Sequence, residues 1–344
     1  MRPRAAYLSA VAAAAVALSA TAFAAAPAQA ATSKGWKVVK TVKSTGIFWD
    51  TAASSWWNAW AVGGPGAWRW NGHTWAKVAI PSSSHQPSEV STSGTGNTWV
   101  LNPKDATPLR RWSKGKWSAA AAAHGAGVQH IGAAGARQVW ASGDGFLRHY
   151  DGSAWSDKKL PGDVTIAGID VNHYNDVWAV GYRKTSDGND QPYAMHWNGS
   201  AWTTTPVPEY HVGEPDWNVA SLRSVAFVGT NDVYAAGDVE IGENVYSPVL
   251  VHWNGTKWSK VSVPKAVHPA YGVNGIAPVG GGGTWYSWDA RHIERRTPSG
   301  TWTDYKVTTP SGAPTLYGIT HIPGTKSSLT VGRSPSGAVI MLGK

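Results

Sequence analysis

A tryptophan recurs through this chain at positions 36, 75, 117, 155, 202, 258 and 302, at intervals of 38 to 56 residues. Self-similarity at such a period decides the architecture before any local reading, because each unit is one supersecondary element that buries its apolar faces only against its neighbours. The clearest unit runs Asn175-Asp176-Val177-Trp178-Ala179-Val180-Gly181, then a loop, then His196-Trp197-Asn198-Gly199-Ser200-Ala201-Trp202, ending at Pro208. The next repeats it from Asn231 to Gly237 and from His252 to Trp258, ending at Pro264. Degraded copies lie at 58–81, 97–117, 138–161 and 284–310. One more unit is split between the chain ends. Residues 316–343 supply three β-like runs, and Lys34-Gly35-Trp36-Lys37-Val38-Val39 matches Thr256 to Val261 as the missing last strand.

Four short strands fit each unit: a before the Asn-Asp pair, b through Val-Trp-Ala-Val, c into His-Trp, and d from the terminal Trp onward. Asn71-Gly72, Asp151-Gly152, Asn198-Gly199 and Asn254-Gly255 predict type I′ turns between c and d, with positive φ at both central residues. Radial repetition of such sheets leaves only short, protected edges. The expected fold class is therefore all-β: a seven-bladed β-propeller with four-stranded blades over 31–344, its ring closed by the N-terminal strand completing the C-terminal blade. On these residues the chain resembles the secreted propellers common in actinobacteria, with blade logic similar to WD-type and Asp-box repeats. The Trp-Asn/Asp-Gly-x-x-Trp hairpin is similar to the Asp-box, but the Ser-x-Asp-x-Gly-x-Thr-Trp order is not met, so sialidase chemistry is not implied. The resemblance implies a binding role, such as that of lectins, including lectin subunits of secreted toxin particles.

Residues 1–30 read as a secretory signal: Arg2 and Arg4 precede an alanine- and valine-rich run, and Ala28-Gln29-Ala30 gives a small-x-small cleavage pattern. The expected location is extracellular, with no membrane span. The chain contains no cysteine, which excludes disulfides and thiolate chemistry. Removing Arg2 and Arg4 takes the formal net charge from +9 to +7. A basic exported protein meets anionic wall polymers and acidic glycans before nucleic acid; its dispersed basic residues show no nucleic-acid reading motif.

Of 22 tryptophans, most sit at repeat positions, where an aromatic fills the wedge between neighbouring sheets. Trp49, Trp56, Trp57, Trp68, Trp217 and Trp288 fall outside the pattern. Trp288 takes the place of Gly181 and Gly237 and is expected to face the loops of blade 6; packing under a loop is the alternative reading for each of the six. Carboxylates gather in the long connections of blades 4 and 5: Asp187, Asp190, Glu209, Glu214, Asp216, Asp238, Glu240 and Glu243. The b–c and d–a loops of a propeller emerge on one face, so these segments are expected to cluster. With Tyr193, Tyr210, His211, Trp217, Tyr246 and Trp288, the residues Glu209, Glu214, Asp216, Asp238 and Glu240 form the candidate ligand site, aromatics for stacking beside oxygens for hydroxyls. The recurring Arg69, Arg111, His149, His196, His252 and Arg295 before the strand-c aromatic read as scaffold, with His196 and His252 paired to Asp176 and Asp232.

No Gly-x-Ser-x-Gly elbow, His-Glu-x-x-His or phosphate loop appears, and neither metal nor cofactor is expected. The reading that follows is a secreted binding module without catalysis, taking a glycan or cell-wall polysaccharide or acting as the targeting subunit of an extracellular assembly with other secreted proteins. Two alternatives stay open: a carbohydrate-active enzyme using loop carboxylates such as Glu209, Glu214 or Asp216, and a protein-interaction scaffold using the central channel.

Overall fold

The computed structural model describes residues 35–344 except 82, 95–96, 120–126, 212–218, 241–245, 265–271 and 289–291; the signal segment at 1–30 lies outside the described residues. Among the described residues the regular elements are 28 β-strands. Blade 1 is built from Phe48–Ser55, Asn58–Gly63, Gly66–Trp70 and Trp75–Val78, hydrogen-bonded in that order. The same a-b-c-d order recurs in blades 2 to 6, within 89–119, 128–159, 164–205, 219–260 and 275–306. Blade 7 takes strands a to c from Thr315–His321, Ser328–Ser334 and Gly337–Gly343, and its strand d from Trp36–Val42 at the other end of the chain. Trp36 lies opposite Gly343, so the ring closes as the split repeat predicts. Blades 4 and 5 are further joined by a parallel bridge between Asp190 and Val219.

What fills the wedge between blades is one repeated sandwich. Trp178 of strand b in blade 4 is 1% exposed; His196 of its own strand c lies over one side at 4.7 Å. Trp253 and Trp258 of blade 5 approach the ring at 5.1 and 4.9 Å, the latter edge-on. The pattern repeats with Trp140 between His149 and the pair Trp197 and Trp202, and with Trp60 between Arg69 and the pair Trp112 and Trp117. Arg111 over Trp99 and Arg295 over Trp285 continue it. Edge-to-face aromatic contact and a cation over a ring each add to the burial of a large apolar surface. The strand-c partner is itself tethered to the start of strand b. His196 Nε2 meets Asp176 Oδ1 at 2.8 Å, His252 Nε2 meets Asp232 Oδ1 at 2.7 Å, and the Arg69 Nε–H donates to Asn58 Oδ1 at 3.2 Å. The pairing is thus within each blade.

The c–d hairpins depart from the expected turn. Positive φ falls on Gly72, Gly152, Gly199 and Gly255 and not on the Asn or Asp before them. The Asn198 side-chain oxygen instead accepts the N–H groups of Ser200 and Ala201 at 3.0 Å, an Asx turn that closes a four-residue loop. Asn71, Asp151 and Asn254 do the same. In blade 2, Lys114 and Gly115 both take positive φ, the type I′ geometry, at a place the motif does not mark.

Trp36 is 8% exposed and packs edge-on against Trp285 of blade 6 at 5.3 Å, so it carries both ring closure and a wedge contact. Trp36→Ala is expected to cost about 3–5 kcal/mol in urea unfolding, the range for a buried aromatic truncated to a cavity. Trp57→Ala, at a side chain 57% exposed, is expected to stay within about 0.5 kcal/mol.

Candidate functional site

The glycine three residues after the large strand-b core residue shapes the middle of the ring. A Cβ on Gly63, Gly143, Gly181, Gly237 or Gly332 would come within 1.9 to 2.1 Å of a carbonyl oxygen in, or one residue before, the facing strand a. In each of these five blades strand a carries a register shift at that place, a bulge with extra chain in the innermost strand. The inserted residues include Trp49, Gln129, Ala167 and Arg223, with Tyr317 and Gly318 in blade 7. Blades 2 and 6 have Asn102 and Trp288 in place of the glycine, and their strand pairs show no shift.

The seven innermost strands surround a bore of about 540 Å³. Directly after the bulge level, blades 1, 2 and 3 place Asp50, Glu89 and His130 side by side, opposite Val62, Leu101 and Ser142 of their strands b. Each carboxylate reaches to the next blade. Asp50 accepts the Thr51 N–H at 2.8 Å and the Val90 N–H at 2.9 Å. Glu89 meets His130 Nδ1 at 2.6 Å and accepts the Ile131 N–H at 2.8 Å. Deeper in the bore, Asp170 accepts the Val171 N–H at 2.9 Å and the Phe227 N–H at 3.1 Å. Innermost strands have a free edge, and these oxygens occupy its amides, which otherwise would be unpaired.

Burial pushes the Asp50 carboxyl up to about 7, with the Glu89 charge adding to it. Asp170 is pushed up to about 6, again mainly by burial. For His130, burial works downward, but the charge and hydrogen bond of Glu89 win, and its pKa is raised.

At the rim, on the side where the d–a connections enter, Trp49 is 39% exposed and stands edge-on to Tyr317 at 4.9 Å. Across the ring Arg223 is held by Asp238 through two hydrogen bonds, at 2.7 and 2.9 Å. Among the described lining residues Arg223 is the one Lys or Arg.

The residues singled out by the loop argument divide into three groups. Trp288 is 1% exposed and packs against Tyr286 and Trp302 instead of facing the loops: its ring occupies the core position that the absent bulge leaves free. Tyr193 and Tyr210 are likewise buried, the first bonded to the Thr204 hydroxyl at 2.7 Å, the second donating its O–H to the Leu250 carbonyl at 3.0 Å, and Asp238 is committed to Arg223. These four side chains are buried and packed or bonded within the scaffold, which corrects the expectation that they face a ligand. Glu209 and His211 are exposed and paired with each other at 3.1 Å. Glu240 stands opposite the half-buried Tyr246, and Val219 links that pair to Asp190 across the bridge, so Asp190 and Glu240 lie along the edge where blades 4 and 5 meet. Glu214, Asp216 and Trp217 lie outside the described residues. The sequence argument did not pick out Asp50, Glu89, His130 or Asp170; for Asp50, His130 and Asp170 the strand-b glycine was the available signal, since it marks the bulge that aims the residues beside it.

No protein-family model and no curated protein matches the sequence. Solved structures do match its shape. YCF48 from Cyanidioschyzon merolae is 15% identical with a TM-score of 0.59, the match covering 90% of this chain and 98% of that one. A catalytically inactive virginiamycin B lyase from Staphylococcus aureus is 14% identical at 0.61, covering 90% and 99%. The WD40 β-propeller domain of Doa1 is 10% identical at 0.62, covering 90% and 98%. At these identities the likeness shows the propeller fold.

Raised carboxylate pKa values carry a definite sign. The folded protein holds protons on Asp50 and Asp170 that the unfolded chain, near 3.8, has lost; their stabilising share is complete below 3.8 and disappears as pH rises through about 6 and about 7. Asp50→Asn, which keeps an acceptor for Val90, is therefore expected to gain stability relative to wild type between about pH 5 and pH 8, read as the difference in urea midpoints at the two pH values.

Proposed function

We propose that this chain is an exported binding module without catalysis of its own, and that it holds a polypeptide partner across the rim of the bore. The observation that carries the reading is Trp49, a large aromatic left 39% exposed beside Tyr317 at the mouth of the bore. Exposed aromatics over a concave surface are the usual anchors of an interface. Export rests on the signal read at 1–30. One neighbour, YCF48, is known as a complex with a D1 peptide, which fits a propeller face used for peptide binding. Another neighbour is a virginiamycin B lyase, so the fold by itself does not decide against chemistry; the non-catalytic reading is supported by the sequence, in which no known catalytic motif is recognised. The glycan reading, as a lectin or the targeting subunit of a secreted assembly, keeps support at the blade 4–5 edge, where Tyr246 stands opposite Glu240.

Panning a random 12-residue peptide library and probing a glycan array with the same purified protein separates the two. Peptides are expected to be enriched, and Trp49→Ser with Tyr317→Ser is expected to weaken the selected ones at least about tenfold, the effect of losing a central aromatic anchor. Saturable, salt-resistant binding to one sugar class, unaffected by that double substitution, would replace this reading with the lectin.

A further inference from the structure

We propose that the bore receives one cationic side chain, lysine or arginine, from an extended segment of the partner lying across Trp49 and Tyr317. The inference rests on the polypeptide reading above and assigns the chemistry of that same site.

Size limits what enters. The lining stretch of strand a, such as Trp49 to Ala53, spans roughly 17 Å at the usual rise of a strand. Spread over that depth, the bore of about 540 Å³ has a mean width of roughly 6–9 Å. A helix with its side chains needs about 10–12 Å and does not fit, whereas a single unbranched side chain does.

Charge selects among side chains. The protein is basic, with a formal net charge of +9, yet its bore is lined by Asp50, Glu89 and Asp170, of which Glu89 already has His130 as its partner. The described bonds of Asp50 and Asp170 come from backbone N–H groups, which are neutral, so no cation holds either carboxyl; burial keeps part of each protonated near neutral pH, and a guest cation at hydrogen-bond distance would draw both back to the charged form. Arg223 offers no cancellation either, because Asp238 already holds its guanidinium. A narrow passage between low-dielectric walls concentrates such a field. A guest ammonium or guanidinium would pass the face of Trp49 on its way in, its methylene stem against the ring and its charge toward Asp50.

The test uses peptides from the panned library. Each is resynthesised with its lysine changed to norleucine, or its arginine to citrulline, which removes the charge and keeps the length. The uncharged versions are expected to bind at least about tenfold more weakly, as for one partner of a close charge pair. A protein carrying Asp50→Asn and Asp170→Asn should lose about the same factor for the parent peptide and little for the norleucine version, the non-additivity that marks direct coupling. Selected peptides without any lysine or arginine, or norleucine versions that bind within about twofold, would overturn the cationic guest while leaving a polypeptide partner in place. Failure to enrich any peptide would remove both.

Discussion

The ring depends on the strand-b aromatic caught between two blades. Trp178 shows why one residue type recurs: it closes its own blade through His196 and meets the next blade through Trp253 and Trp258. Without cysteines, the chain has no covalent staple, and cohesion around the ring comes from this contact repeated at successive interfaces. Blade 7 has Leu329 in that position, packed in one cluster with Trp75 and flanked by Trp70 of blade 1. There closure relies instead on strand exchange, with Trp36–Val42 completing the C-terminal sheet.

A second constraint runs inward from the same strand. The glycine three residues after Trp178 exists because the facing strand bulges toward it, and the bulge sets which residues reach the bore. Scaffold and site are coupled through one backbone irregularity: Trp49 and Asp50 owe their placement to Gly63. The carboxylates of the bore then work twice, tying the inner edge of one blade to the next and giving the opening its sign.

The architecture was legible because aromatic wedge residues and hairpin Asn-Gly pairs recur in register with the blades, so the split seventh blade could be matched end to end. Turn type was misread because an Asn side chain supplies locally the bonds that a type I′ backbone would arrange. The loop site was only partly legible. Tyr210 and Trp288 lie in irregular segments but turn inward, and an aromatic in a connection carries no mark of which way it faces. The bore carboxylates were invisible for a different reason: Asp50 and Asp170 bond to amides 40 and 57 residues away, and neither shares a motif with its partner.

Mapping a bound peptide directly is the most telling measurement. A structure of the protein with the tightest panned peptide is predicted to show the peptide crossing the rim at Trp49 and Tyr317, with one basic side chain in the bore near Asp50 and Glu89. A peptide lying along the Asp190 to Tyr246 edge, or added to an outer strand such as Trp155–Lys159, with the bore empty, would contradict it.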